Sequence, residues 1–99
     1  MMFDKMRGLM EMKKKAEELK RALDSANIEV NDVRGVKIVI SGSQNFQSVE
    51  IAPELLNPEN QKRLENDLLR ALNSAIKKSQ NLAAQKMQAM TGLNIPGLN

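Results

Sequence analysis

The sequence predicts an α+β fold: an α-β-β-β-α subunit in which a small antiparallel sheet is flanked by two long helices. Three observations predict it. Val36, Ile38 and Ile40 alternate with Lys37, Val39 and Ser41 at the period of a strand, and Gly42–Asn45 then separates them from a second alternating run, Phe46–Ile51. Apolar residues recur at heptad spacing over the first 26 residues. Asn57-Pro58-Glu59 opens a further long apolar period with a cap, a proline suited to the first helical position and an acid at the positive dipole end.

In chain order, Phe3–Ala26 reads as one helix. Met2, Leu9, Ala16 and Leu23 form one apolar row, and Met12, Leu19 and Ala26 form its companion, with Lys5 and Gly8 loosening the first turns. Steps of 100° put Arg7, Lys14 and Arg21 on the side opposite this seam, with Lys13 and Lys20 flanking. Glu11 to Lys15 and Glu17 to Arg21 have the spacing of i,i+4 ion pairs.

Ile28-Glu29-Val30 is a short strand, and Asn31–Gly35 is expected to turn into the central one. The hairpin places Val36, Ile38, Ile40, Val49 and Ile51 on an inward face, as core or dimer contacts. A three-stranded sheet cannot bury itself, so it needs a helix layer or a second sheet, which the long helices or a second copy of the chain can supply. Ala52–Leu56 is a connector with a helical turn.

The second helix is expected from Pro58 to about Met90. Leu64, Leu68, Leu72, Ala75, Ile76, Leu82, Ala83 and Met90 form its apolar face, and Arg63, Arg70 and Lys77 lie opposite with Lys78 beside them. Ser79 and Lys86 fall on the apolar side, where incomplete burial is expected. The division is thus a single domain: helix 1–26, meander and connector 27–57, helix 58–90, and a flexible tail 91–99 in which Leu93 and Ile95 are the available anchors.

Composition narrows the chemistry. The 99 residues contain no Cys and no His, which removes thiol nucleophiles, imidazole bases, disulfides and the usual zinc ligands. Two Phe without Tyr or Trp cannot build a base-stacking platform. Neither a phosphate loop nor a dinucleotide fingerprint is present; Gly35 and Gly42 read as strand punctuation. The expectation is a non-enzymatic protein without cofactor, metal or small-molecule substrate, soluble in the cytoplasm and not attached to a membrane.

The net charge of +3 is unevenly spread. The meander, 27–57, holds two basic and four acidic residues, whereas 58–99 holds six basic and three acidic, with no acid beyond Asp67. The stripes therefore read either as solvated faces or as phosphate contacts, and the free charge favours the second helix.

The motifs Met10-Glu11-Met12-Lys13-Lys14-Lys15, Val36-Lys37-Ile38-Val39-Ile40-Ser41-Gly42, Val49-Glu50-Ile51-Ala52-Pro53-Glu54-Leu55-Leu56 and Ile95-Pro96-Gly97-Leu98 together resemble the YbaB/EbfC family of bacterial nucleoid-associated proteins. Ser41 stands where the family often has Asn, Ala52 where it often has Asp, and Asn31–Gly35 is shorter than the usual Gly/Ser-rich link. The resemblance implies a tweezer-like homodimer that binds double-stranded DNA in the nucleoid, organising it, with gene regulation as a further role. The resemblance carries over no contact residues; the basic stripes and their flanks supply the candidates Arg7, Lys13, Lys14, Lys20, Arg21, Arg63, Arg70, Lys77 and Lys78. The rival expectation is a protein-interaction module that docks a partner through Met2, Met6, Met10 and Met12.

Overall fold

A computed structural model describes residues 2–91, and the side chains of 5–90. The expected tail anchors Leu93 and Ile95, and the side chain of Met2, lie outside these. Helix α1 spans Met2–Ser25, strands β1, β2 and β3 span Asn27–Val33, Val36–Ser41 and Phe46–Ile51, and helix α2 spans Gln61–Thr91. The strands form one antiparallel sheet in the order β1-β2-β3.

β1 is longer than the three residues expected, and Asn31–Val33 is strand where a turn was expected. The cause is a bulge. Val30 pairs with Ile38 and Val33 with Val36, so Asn31 and Asp32 together oppose Lys37. The extra residue restores Val33 to the inward face, where it is buried. The reversal is then left to Arg34-Gly35 alone, with Gly35 at φ 86°. A Cβ there would also meet Leu55 Cδ1 at 2.6 Å, a tip that can rotate away, so it is the positive φ that calls for glycine.

At the other end of the sheet, Gly42–Asn45 makes the expected hairpin. Ser41 N–H donates to the Asn45 carbonyl at 2.8 Å, and Ser41 Oγ accepts from Asn45 N–H at 3.1 Å. Serine thus supports the turn itself. At the connector, Ala52 offers no side-chain cap to the 3-10 turn Pro53–Leu55. Asn57 does cap: its Oδ1 accepts from Asn60 N–H at 3.0 Å. The first turn after it, Pro58–Asn60, is 3-10, and regular helix begins at Gln61.

α2 lies across β1 and β2. Ala71, Ala75 and Ser79, four residues apart, form its closest row on the sheet, and all three are buried. The alanines let the helix approach Val30, Val33, Val36, Ile38 and Ile40, with Leu64, Leu68, Leu72 and Ile76 packed around them. Ser79 departs from the expected incomplete burial. It is fully buried, and its hydroxyl donates to the Ser41 carbonyl at 2.8 Å, so the polar group is satisfied where it lies.

Candidate nucleic-acid interface

The cross-strand register decides what α2 leaves uncovered. Ile40, Ile38 and Val36 pair with Phe46, Val49 and Ile51, so all six share the face on which α2 lies. α2 covers the β1–β2 half. On the β3 half, Phe46 and Val49 are 43% and 46% exposed, and Ile51 is half-buried. Of the expected core or dimer set, Val36, Ile38 and Ile40 are therefore buried within one chain, whereas Val49 is not. Helical steps put Ser74 and Lys78 on the β1 flank of α2, and Leu69, Leu72 and Ile76 on the β3 flank. Leu69, 59% exposed, extends the uncovered apolar surface on that side.

α1 reaches the sheet only at its C-terminal end. The Gly42 N–H donates to the carbonyls of Leu23 and Ala26 at 3.0 and 2.9 Å, closing off that end of the helix. Gly42 is therefore more than punctuation: it is the point where the hairpin backbone touches the helix. Leu19, Leu23 and Ala26 are half-buried there, and Leu19 and Ala22 line a shallow groove with Lys86, Ala89 and Met90 of α2. Every described residue from Lys5 to Glu18 is exposed. The N-terminal half of α1 is thus an arm, consistent with a molecule 69 Å long and 15 Å thick.

Arg7, Lys13, Lys14, Lys20 and Arg21 are exposed on this helix and enter no ion pair among the described residues. The expected pairs Glu11–Lys15 and Glu17–Arg21 are not formed. The long side chains reach into water instead, where such pairs gain little.

The α2 stripe is more compensated than the sequence suggested. Asp67, with a side chain only 14% exposed, sits 3.7 Å from Arg63 Nε and 3.3 Å from Arg70 Nη2. Lys78 Nζ donates to Asp32 Oδ1 at 2.8 Å, and Ser74 Oγ donates to Asp32 Oδ2. The hydrogen bond from Lys78, followed by that from Ser74, holds the Asp32 carboxyl below its ordinary pKa. Lys77 alone among the stripe residues of α2 is exposed and unpaired among the described residues. The expectation that free charge favours α2 is thus corrected by Asp67, which pairs with Arg63 and Arg70, and by Asp32, an acid far away in sequence that the β1 bulge brings to Lys78.

The opposite face of the sheet is polar. Lys37 Nζ lies 2.8 Å from Glu29 and 4.0 Å from Glu50, across both neighbouring strands. The hydrogen bond to Glu29 raises the Lys37 pKa, and the same bond lowers that of Glu29. This face offers a mixed-charge ladder and no cationic surface. Among the described residues no cluster of acids could hold a metal ion, and no helix is long and apolar enough to cross a membrane.

The YbaB/EbfC DNA-binding family profile matches residues 1–94. The chain belongs to this family. A nucleoid-associated protein of Pelotomaculum thermopropionicum is 37% identical over 95 residues, covering 94% of this chain and 90% of the relative. One of Desulforamulus reducens is 44% identical over 64 residues, 64% of this chain and 61% of the relative. The crystal structure of an uncharacterized protein from Helicobacter pylori superposes with a TM-score of 0.73 at 22% identity, covering 93% of this chain and 97% of that one. The two chains share one fold. The family is one of DNA-binding proteins, and its relatives carry the nucleoid-associated name.

Proposed function

We propose that this protein is a non-enzymatic, nucleoid-associated homodimer that binds duplex DNA through Lys/Arg–phosphate contacts in the cytoplasm. Organisation of the nucleoid follows from such binding, and gene regulation is a further consequence of occupying DNA. The observation that carries this reading is the arm of α1. It presents Arg7, Lys14 and Arg21 along one line, exposed and outside any ion pair among the described residues, on a family member whose relatives are named for the nucleoid. A row of cations without base-reading aromatics suits backbone contact with little sequence preference. Dimerisation is supported by the sheet: a second copy laid against Phe46, Val49 and Leu69 would cover the apolar half that α2 leaves open.

The rival reading has its own support. Met6, Met10 and Met12 are 59%, 70% and 68% exposed on the same arm, a surface suited to docking a protein partner. Salt separates the two. Binding to unrelated duplexes should weaken steeply as salt rises. Replacing Arg7, Lys14 and Arg21 with Gln should weaken all duplexes alike and flatten the slope by about 0.9 for each phosphate no longer neutralised. The same change at Arg63, Arg70 and Lys77 should have the smaller effect, because Asp67 already compensates two of them. Folded stripe variants with unchanged affinity and slope would transfer the function to the methionine face.

A further inference from the structure

Asp32 is placed unlike any other acid among the described residues. The β1 bulge sets Asn31 and Asp32 together against Lys37 and brings the Asp32 carboxylate to the β1 flank of α2. There, Ser74 and Lys78, one helical turn apart, each donate to a different carboxylate oxygen. A hydroxyl and an ammonium gripping two oxygens of one anion is also a suitable donor set for the oxygens of a DNA phosphate.

Asp67 differs. It pairs with Arg63 and Arg70 of its own helix, whose side chains remain 71% and 70% exposed. A guanidinium has five donors and can keep one such contact while reaching outward. Lys78 has a single charged head. That ammonium keeps further donors, but Asp32 at 2.8 Å already offsets its charge, so a phosphate must share it with Asp32 or displace Asp32.

We propose that Asp32 is an internal competitor for phosphate: by occupying Ser74 and Lys78 it keeps this donor pair out of DNA contact and holds affinity below what the cations of α2 would otherwise give. The proposal rests on the DNA-binding reading above. It makes Asp32 a residue that sets affinity without touching DNA. The β1 bulge then adds a compensation at Lys78 to the one Asp67 gives Arg63 and Arg70 within α2.

The test is fluorescence anisotropy of a labelled duplex of arbitrary sequence across a salt series. The proteins are the full chain and its Asp32→Asn, Lys78→Gln, Ser74→Ala and Asp32→Asn/Lys78→Gln variants, each checked for folding by circular dichroism. Asp32→Asn should tighten binding several-fold and steepen the salt slope by about 0.9 for each site that reaches DNA. Lys78→Gln alone should leave the slope unchanged, and the double variant should behave as Lys78→Gln. Ser74→Ala, which loosens the grip without changing charge, should shift affinity in the same direction as Asp32→Asn but less.

Two results would overturn the inference while leaving DNA binding intact. In one, Lys78→Gln flattens the slope, so Lys78 already contacts phosphate. In the other, the gain from Asp32→Asn survives in the Lys78→Gln background, so Asp32 acts by general repulsion. A full chain with no salt-dependent duplex binding would remove the DNA-binding reading, and this inference with it.

Discussion

Gly42→Ala tests the joint between the α1 arm and the sheet. A Cβ at this position would stand 3.0 Å from Leu23 Cδ2, 3.1 Å from the Leu23 carbonyl oxygen and 3.3 Å from Leu23 Cα. The leucine tip can rotate away. The carbonyl and Cα cannot, because the same carbonyl accepts the Gly42 N–H at 3.0 Å. Helix and hairpin must therefore separate by a few tenths of an ångström, lengthening the bonds that close the end of α1. Overpacking of this kind costs about 1–3 kcal/mol, equivalent to a fall in Tm of roughly 5–15 °C for a chain this size. A tilt at Leu23 also swings the arm, since Met6 lies about 25 Å away at the helical rise. The assay is thermal unfolding at one fixed protein concentration, because the Tm of the proposed dimer would depend on concentration. Gly8→Ala is the control of opposite sign. Nothing lies within 4 Å of its would-be Cβ, so it should raise helicity by the ordinary preference for alanine, about 1 kcal/mol. A Gly42→Ala protein with unchanged or higher Tm would refute the close approach.

Three further outcomes follow from the same structure. Ile38→Asp puts a charge at a position with no exposure and should prevent folding, as seen by lost helicity and lost thermal cooperativity. Val49→Asp, at a half-exposed position on the uncovered half of the sheet, should leave the subunit folded but drive it to a mass near 11.1 kDa by equilibrium sedimentation; a folded dimer would move the interface elsewhere. Stability should be flat across neutral pH and fall at both ends. The lowered pKa values of Asp32 and Glu29 give contributions present above the ordinary 3.8 and 4.5 and lost as pH falls through the folded values. The raised pKa of Lys37 gives one present below 10.5 and lost as pH rises through its folded value. Denaturant midpoints against pH check this, and Asp32→Asn should remove part of the acid limb.

What the sequence disclosed was local. The alternation in Val36–Ser41 and Phe46–Ile51 needs only neighbours two residues apart to be read, and those strands begin and end where it places them. Asn57-Pro58-Glu59 likewise caps within four residues. What it concealed depends on contacts between distant segments. Asn31-Asp32 reads as turn because both residues favour turns, yet pairing with β2 overrides them and makes a bulge. Ser79 interrupts an apolar row, and only the position of the Ser41 carbonyl explains why. At the candidate interface, the cations were visible as stripes seven residues apart, but their compensation was not. Asp67 could have been found, being four residues from Arg63 and three from Arg70. Asp32 carries no such signal: it is 46 residues from Lys78.

The arm poses a physical problem that bears on both functional readings. Lys5–Glu18 has no covering partner within the described residues, contains Gly8, and lacks the ion pairs its spacing allows. A helix of that length alone in water is marginal, so its order must come largely from Leu19, Leu23 and Ala26 at the base or from something laid along it. The two surfaces available for that lie on different sides. Leu9 and Met12 continue the seam that packs at the base, while Arg7, Lys14 and Arg21 lie roughly 180° around. An apolar partner on the seam would order the helix without covering the cations, and the ordered helix would then hold those cations in a line facing phosphate. Met6 and Met10 share a groove with Arg7 and Lys14, but apolar docking at Leu9 and Met12 and DNA binding are not competing uses of one surface. The first would lower the conformational entropy cost of the second, and replacing Leu9 and Met12 with Ala should weaken DNA binding without changing its salt slope.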